Sequence, residues 1–187
     1  MLEQGLVSVS LATHGRMLVL FTSHDQLRRT ASAISAPLAG DGILVIDQSE
    51  GASRYALLEQ FRTTEQAVLL GTRSFWEGVD VPGEALSVLV IARLPFDVPT
   101  DPIIAARAES FDSPFDEYHV PEAILRFRQG FGRLIRTRSD RGVVVCLDRR
   151  ILSKRYGQAF LHSLPRCTQR VGPMSDLPIS AARWLGS

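Results

Sequence analysis

Five short runs of consecutive apolar residues, at 17–21, 43–46, 67–70, 88–91 and 143–147, constrain this chain more than any other feature. A run with no polar face reads as a strand covered on both sides. Between the runs the apolar spacing turns helical. Ser23 and Gln26 form a capping box ahead of Leu27, Ala31 and Ile34, and Leu57, Leu58 and Phe61 share one side of a short helix over 54–62. Strands alternating with helices predict a three-layer α/β domain, with a mostly parallel sheet of five or more strands and helices on both faces. A leading helix is expected over 1–14, ending at Gly15. Ser153 should cap another that carries Tyr156, Phe160 and Leu164 and stops at Pro165. The excursion over 93–141, broken by five prolines, should carry function or helices of its own. No repeat or linker divides the chain, which reads as one domain over 1–187, with a core at about 15–165 and a turn-rich tail at 166–187.

Composition removes several function classes. No apolar run reaches the ~20 residues of a membrane span, and no leader pattern opens the chain, so a cytoplasmic protein without a membrane partner is expected. Formal net charge is +1, so any polyanion site must be a local patch. Cys146 and Cys167 form no CxxC pair and the four histidines lack metal-ligand spacing, so no metal site is expected. The one lysine, Lys154, follows Ser153 and not glycine, which excludes a P-loop of the form GxxxxGK[ST]. Asp116–Glu117, the one Asp-Glu pair, follows a turn signal and makes a poor magnesium box. A GxSxG nucleophile elbow is missing.

Ligands of open parallel sheets bind beyond the carboxyl ends of the strands. Three such ends carry distinctive chemistry: Thr22-Ser23-His24, the stretch GTRSFWEGVDVPG over 71–83, and Asp148-Arg149-Arg150. The second combines a close-approach glycine at Gly71, hydroxyls at Thr72 and Ser74, and acids at Glu77 and Asp80. It suits a phosphate ledge. It equally suits a tight crossover with Trp76 as a core plug and both acids solvated. Further on, 129–136 reads QGFGRLIR. A helix begun near Pro121 would line Ile124, Phe127, Phe131 and Leu134 on one face. Gln129, Arg133 and Arg136 would then fall within roughly 60° of one another on the other. Such a stripe is either a solvated basic face or a polyanion site, since arginine forks bind phosphate bidentately.

Together GTRSFWEGVDVPG and QGFGRLIRTRSDRG resemble motifs V and VI of superfamily 2 helicases, and more narrowly of the DinG branch related to XPD. Leu18-Val19-Leu20-Phe21-Thr22-Ser23 is similar to motif IV. The resemblance covers about 15–165. It implies a RecA-like second motor lobe, whose P-loop and Asp-Glu box belong to a first lobe. ATP with Mg²⁺ would lie in the cleft between the lobes, and single-stranded DNA would cross both with 5′ to 3′ translocation. By resemblance Arg133 and Arg136 are the arginines that reach the γ-phosphate. Gln129, Gly132, Glu77 and Asp80 border the nucleotide, and Thr22, Ser23, Gly71, Thr72 and Ser74 meet DNA phosphates. An iron–sulfur cluster, where relatives carry one, sits on the first lobe and not in this stretch. Two readings from other classes stand beside this one: a non-catalytic RecA-like module that binds nucleic acid, and a small-molecule enzyme using Glu77 and Asp80 as acid and base.

Overall fold

A computed structural model describes residues 2–48, 51–76, 86–134 and 141–186. Glu77, Asp80, Arg136 and Arg138 lie outside the described residues. The elements run α1 (Leu2–Ala12), β1 (Met17–Leu20), α2 (His24–Ala39), β2 (Leu44–Asp47), α3 (Arg54–Thr63), β3 (Ala67–Gly71), α4 (Arg73–Trp76), β4 (Val88–Ile91), α5 (Pro102–Ala108), α6 (Val120–Phe131), β5 (Val143–Cys146), α7 (Arg150–Ser153), α8 (Gly157–His162) and α9 (Leu177–Leu185).

All five strands pair in parallel, in the order β2-β3-β1-β4-β5. Successive residues of a strand point to opposite faces, and the core divides accordingly. Leu18, Leu20, Leu69, Leu89 and Ile91 pack with α3, α4, α6 and α8. Met17, Val19, Val68, Leu70, Val88 and Val90 pack with α1 and α2. Every residue of β1, β3 and β4 is buried, as a continuous apolar run requires. The outer strands depart from that rule. Leu44 of β2 is exposed and most of β5 is only half-buried, because an edge strand has a neighbour on one side alone.

Three expectations need correction. The helix expected to run through Arg133 and Arg136 ends at Phe131. Gly130 and Gly132, each costing a helix about 1 kcal/mol relative to alanine, fall in its last turn and at its cap. The chain leaves through a tighter turn, with the amides of Arg133 and Leu134 donating to the carbonyls of Gly130 and Phe131. Arg133 therefore leaves the helical stripe that begins at Gln129, and Arg136 lies outside the described residues. Ser153 does not cap a long helix but closes α7, and extended backbone at Lys154 separates α7 from α8. Just ahead of α7, the Asp148 carboxylate accepts from the Arg150 amide at 3.0 Å. The segment 166–187 is more ordered than its prolines suggest. Leu177, Ala181 and Leu185, at i, i+4 and i+8, form a narrow apolar stripe, and Pro178 is tolerated in the first turn. The resulting α9 packs against α1. Among the described residues, no helix is long and apolar enough to cross a membrane.

The excursion after β4 carries its own helices. Asp101 caps α5 by accepting from the amides of Ile103 and Ile104. A π-helical turn over Phe115–His119 then feeds α6, so Asp116 and Glu117 sit on a helical turn and not at a strand end.

Candidate functional site

At the carboxyl edge, the ends of β1, β2 and β3 meet in one polar cluster. Its hub is Gln48, one residue past β2. The Gln48 Oε1 accepts from the Thr72 amide at 3.0 Å and from the Thr72 hydroxyl at 2.8 Å. Its Nε2 donates to Ser74 Oγ at 2.9 Å. His24 Nε2 lies 3.3 Å from Thr72 Oγ1. Because the Thr72 proton is committed to Gln48, this geometry suits His24 with its proton on Nε2, donating to the threonine oxygen. Thr72 is buried, Ser74 half-buried, and Thr22, Ser23 and His24 are exposed. Ser23 Oγ accepts from the Gln26 amide at 3.4 Å, as the capping box predicts, and its proton stays available to a ligand. Gly71 has a packing reason for being glycine, since a Cβ there would stand 2.5 Å from the Phe75 ring.

The single turn of α4 leads from this cluster to the end of α6. Trp76 is the plug that one sequence reading anticipated. It is buried, and its indole N–H points at the Phe21 carbonyl at 3.5 Å. Its ring closes on Gly130, where an added Cβ would lie 3.1 Å from the indole. Glu77 follows Trp76 directly and Gln129 precedes Gly130, so this contact brings together the two sequence constellations singled out above. Gln129 Oε1 is buried and has no hydrogen-bond partner among the described residues. A groove of about 300 Å³ runs between the last turn of α6 and Leu164–Pro165, with Arg128, Gln129 and Gly132 on its wall. Arg133, half-buried, begins the turn beyond it. Phe75 and Trp76, just beyond β3, are buried in the core.

Two ion-pair groups brace the edge: one around Asp97, which the sequence did not single out, and one at Asp148 and Arg150, the third of the strand ends noted above. Asp97, on the segment after β4, pairs with Arg73 of α4 at 2.9 Å and with Arg126 of α6 at 2.8 Å. Asp148 accepts from the Leu94 amide at 2.9 Å and pairs with Arg150 at 2.6 Å, and that guanidinium lies over the Phe96 ring. Burial alone would push the Asp148 carboxyl up. The Arg150 side chain and the amides of Leu94 and Arg150 outweigh it and hold the carboxyl below the usual range. A depressed folded value means that Asp148 stabilises fully above its unfolded value, near 3.9, and that this stabilisation is lost as pH falls through the lower folded value. In denaturant melts, the gap between the wild type and Asp148→Asn is expected to be constant from about pH 7 to pH 5 and to close in stronger acid. A gap independent of pH down to pH 2 would contradict this. Cys146 is a packing residue, its thiol pushed up to about 11 by burial.

Comparison with known proteins follows this geometry closely. The model of the helicase C-terminal domain matches residues 6–167. This chain belongs to that family. The helicase C-terminal domain is 43% identical over 171 residues to the 3′-5′ exonuclease DinG of Bacillus subtilis, covering 89% of this chain and 18% of that one. It is also 43% identical over 158 residues to the ATP-dependent DNA helicase YoaA of Escherichia coli, covering 82% of this chain and 24% of that one. The helicase C-terminal domain thus spans about a fifth to a quarter of these relatives' length. Its fold is that of S. cerevisiae Dbp5 bound to RNA and ADP BeF3, at 18% identity and a TM-score of 0.56, covering 98% of this chain and 41% of that one. The RecA-like, DinG-type assignment drawn from motifs IV to VI holds.

Proposed function

We propose that this domain is the second motor lobe of an ATP-dependent DNA helicase, acting with a first lobe elsewhere in its parent protein. The observation that carries the reading is the Trp76–Gly130 contact. It joins the strand-end cluster suited to a nucleic-acid backbone to the helix end that bears Gln129, Gly132 and Arg133. The name of the Escherichia coli relative, an ATP-dependent DNA helicase, supports it.

The residues present fit a nucleotide. The orphaned Gln129 Oε1 is an acceptor suited to a ribose hydroxyl or an exocyclic amine. Arg133 and Arg136 suit phosphate oxygens, and by the resemblance Glu77 and Asp80 are assigned to the nucleotide as well. ATP, held with Mg²⁺ by the first lobe, supplies the γ-phosphoryl group that is transferred to water. Arg133 and Arg136 place fixed positive charge where charge builds on that group, at no cost in reorganisation. They do so only when the cleft is closed. Thr22 and Ser23 offer exposed hydroxyls to the phosphates of single-stranded DNA, and Gly71, Thr72 and Ser74 form the ledge beside them, with Thr72 held by Gln48. Closure and opening of the cleft would shift this foothold relative to that of the first lobe, in the 5′ to 3′ sense that the resemblance implies.

One lobe offers only part of a phosphate track. The isolated domain is therefore expected to bind single-stranded DNA no tighter than about 10⁻⁴–10⁻⁶ M at physiological salt, and to weaken steeply as salt rises. Fluorescence anisotropy across a salt series checks this. Nanomolar binding indifferent to salt would contradict the reading.

A further inference from the structure

We propose that Arg73 is a positioning residue that, through Asp97 and Arg126, couples nucleic-acid binding at the Thr72–Ser74 edge to ATP turnover at the end of α6. The inference rests on the motor reading above. It starts from the smallness of α4, four residues long. One helical turn has no stability of its own, so the orientation of α4 is set by the groups that hold it. Gln48 holds Thr72 and Ser74 at one end, and Gly130 receives Trp76 at the other.

Arg54 Nη1 donates to the Ser74 carbonyl at 3.0 Å, and Arg73 is the hold that reaches from α4 toward α6. Its Nη1 meets Asp97 Oδ1 at 2.9 Å, while Asp97 Oδ2 meets Arg126 Nη1 at 2.8 Å. One carboxylate therefore joins guanidinium groups from α4 and α6. The Asp97 side chain is 5% exposed and that of Arg126 10%, so this joint is screened little by water. Arg126 also reaches the Pro95 carbonyl at 3.4 Å and Glu122 at 3.5 Å, which fixes it within its own helix and the segment after β4. Gln129 and Gly130 stand three and four residues beyond Arg126, on the same side of α6. A turn of α4 that draws Arg73 away from Asp97 changes the field at Arg126 and the seat of Trp76 together. The Arg73 side chain, 63% exposed, can be removed while the buried Asp97–Arg126 pair stays intact, which separates coupling from folding.

The test uses the parent protein with Arg73→Ala and Arg73→Lys. It reads ATP turnover with and without saturating single-stranded DNA, DNA affinity across a salt series, and Tm. Arg73→Ala is expected to lower DNA-stimulated kcat by about 2- to 30-fold. Unstimulated turnover, KM for ATP, DNA affinity and Tm should stay near wild type, and Arg73→Lys should recover most of the stimulation. Undiminished stimulation in Arg73→Ala overturns the coupling role. So does a loss explained by weaker DNA affinity with a shallower salt dependence, which would make Arg73 a phosphate contact. A drop in Tm that lowers stimulated and unstimulated turnover alike would assign Arg73 to stability alone. Those three results leave the motor reading standing, whereas a wild-type parent with no DNA-dependent turnover overturns both.

Discussion

Replacing Arg136 by alanine in the parent protein is expected to cut ATP turnover by ~10³–10⁵ while ATP affinity changes little. In phosphoryl transfer, charge spreads over the oxygens of the moving group, and a planar guanidinium can meet two of them at once. A contact made chiefly in the transition state lowers kcat and kcat/KM together. The proposed loss corresponds to about 4–7 kcal/mol of transition-state stabilisation. A solvated surface arginine, by contrast, contributes about 0.2–1 kcal/mol through an ion pair. The two roles thus differ by several powers of ten in rate. Arg133→Ala is expected to act in the same direction. Arg136→Lys keeps the charge but not the fork and should recover only part of the activity. Steady-state turnover beside binding of a fluorescent ATP analogue checks all three variants. Near-wild-type turnover in Arg136→Ala would remove the finger role.

Asp97→Ala is expected to destabilise the domain by about 3 kcal/mol, because the buried Arg126 guanidinium loses a 2.8 Å ion pair with a buried carboxylate and is left with the more distant Glu122 at 3.5 Å. For a domain of this size that is a fall in Tm of roughly 10 °C. Replacing both partners with apolar groups, as in Asp97→Leu with Arg126→Met, should cost less than the single change. A buried pair replaced as a whole removes its own desolvation penalty, whereas half a pair does not. Thermal and urea melts of Asp97→Leu, Arg126→Met and the double variant form the cycle. Additive losses across it would show that Asp97 and Arg126 act independently.

The middle of the sheet was plain in the sequence because β1, β3 and β4 are covered on both faces, and uninterrupted apolar runs such as Ala67–Gly71 have no other use. The edges were less plain. Leu44 is as apolar as its neighbours yet exposed, since nothing in composition tells an outer strand from an inner one. The clustering of Thr22, Ser23, Thr72 and Ser74 followed from the strand-end rule, and the same rule applied to β2 would have reached Gln48. The stretch around Trp76 fits two readings in sequence alone, since the contact that makes Trp76 a plug is with Gly130, more than fifty residues away. Asp97 and Arg126, far apart in sequence, carry no local signal, because their pairing depends on how α6 folds back over the segment after β4. Helical periodicity misled at Arg133. It assumes an unbroken helix, and Gly132 ends this one.

The shared-site account is tested most directly by ATP turnover of this domain alone, with Mg²⁺ and saturating single-stranded DNA, beside the parent protein under the same conditions. The account predicts DNA-stimulated hydrolysis by the parent and none above background by the domain, whose sequence has no P-loop to hold the phosphates that Arg133 and Arg136 are proposed to meet. Robust DNA-stimulated hydrolysis by the domain by itself would contradict it.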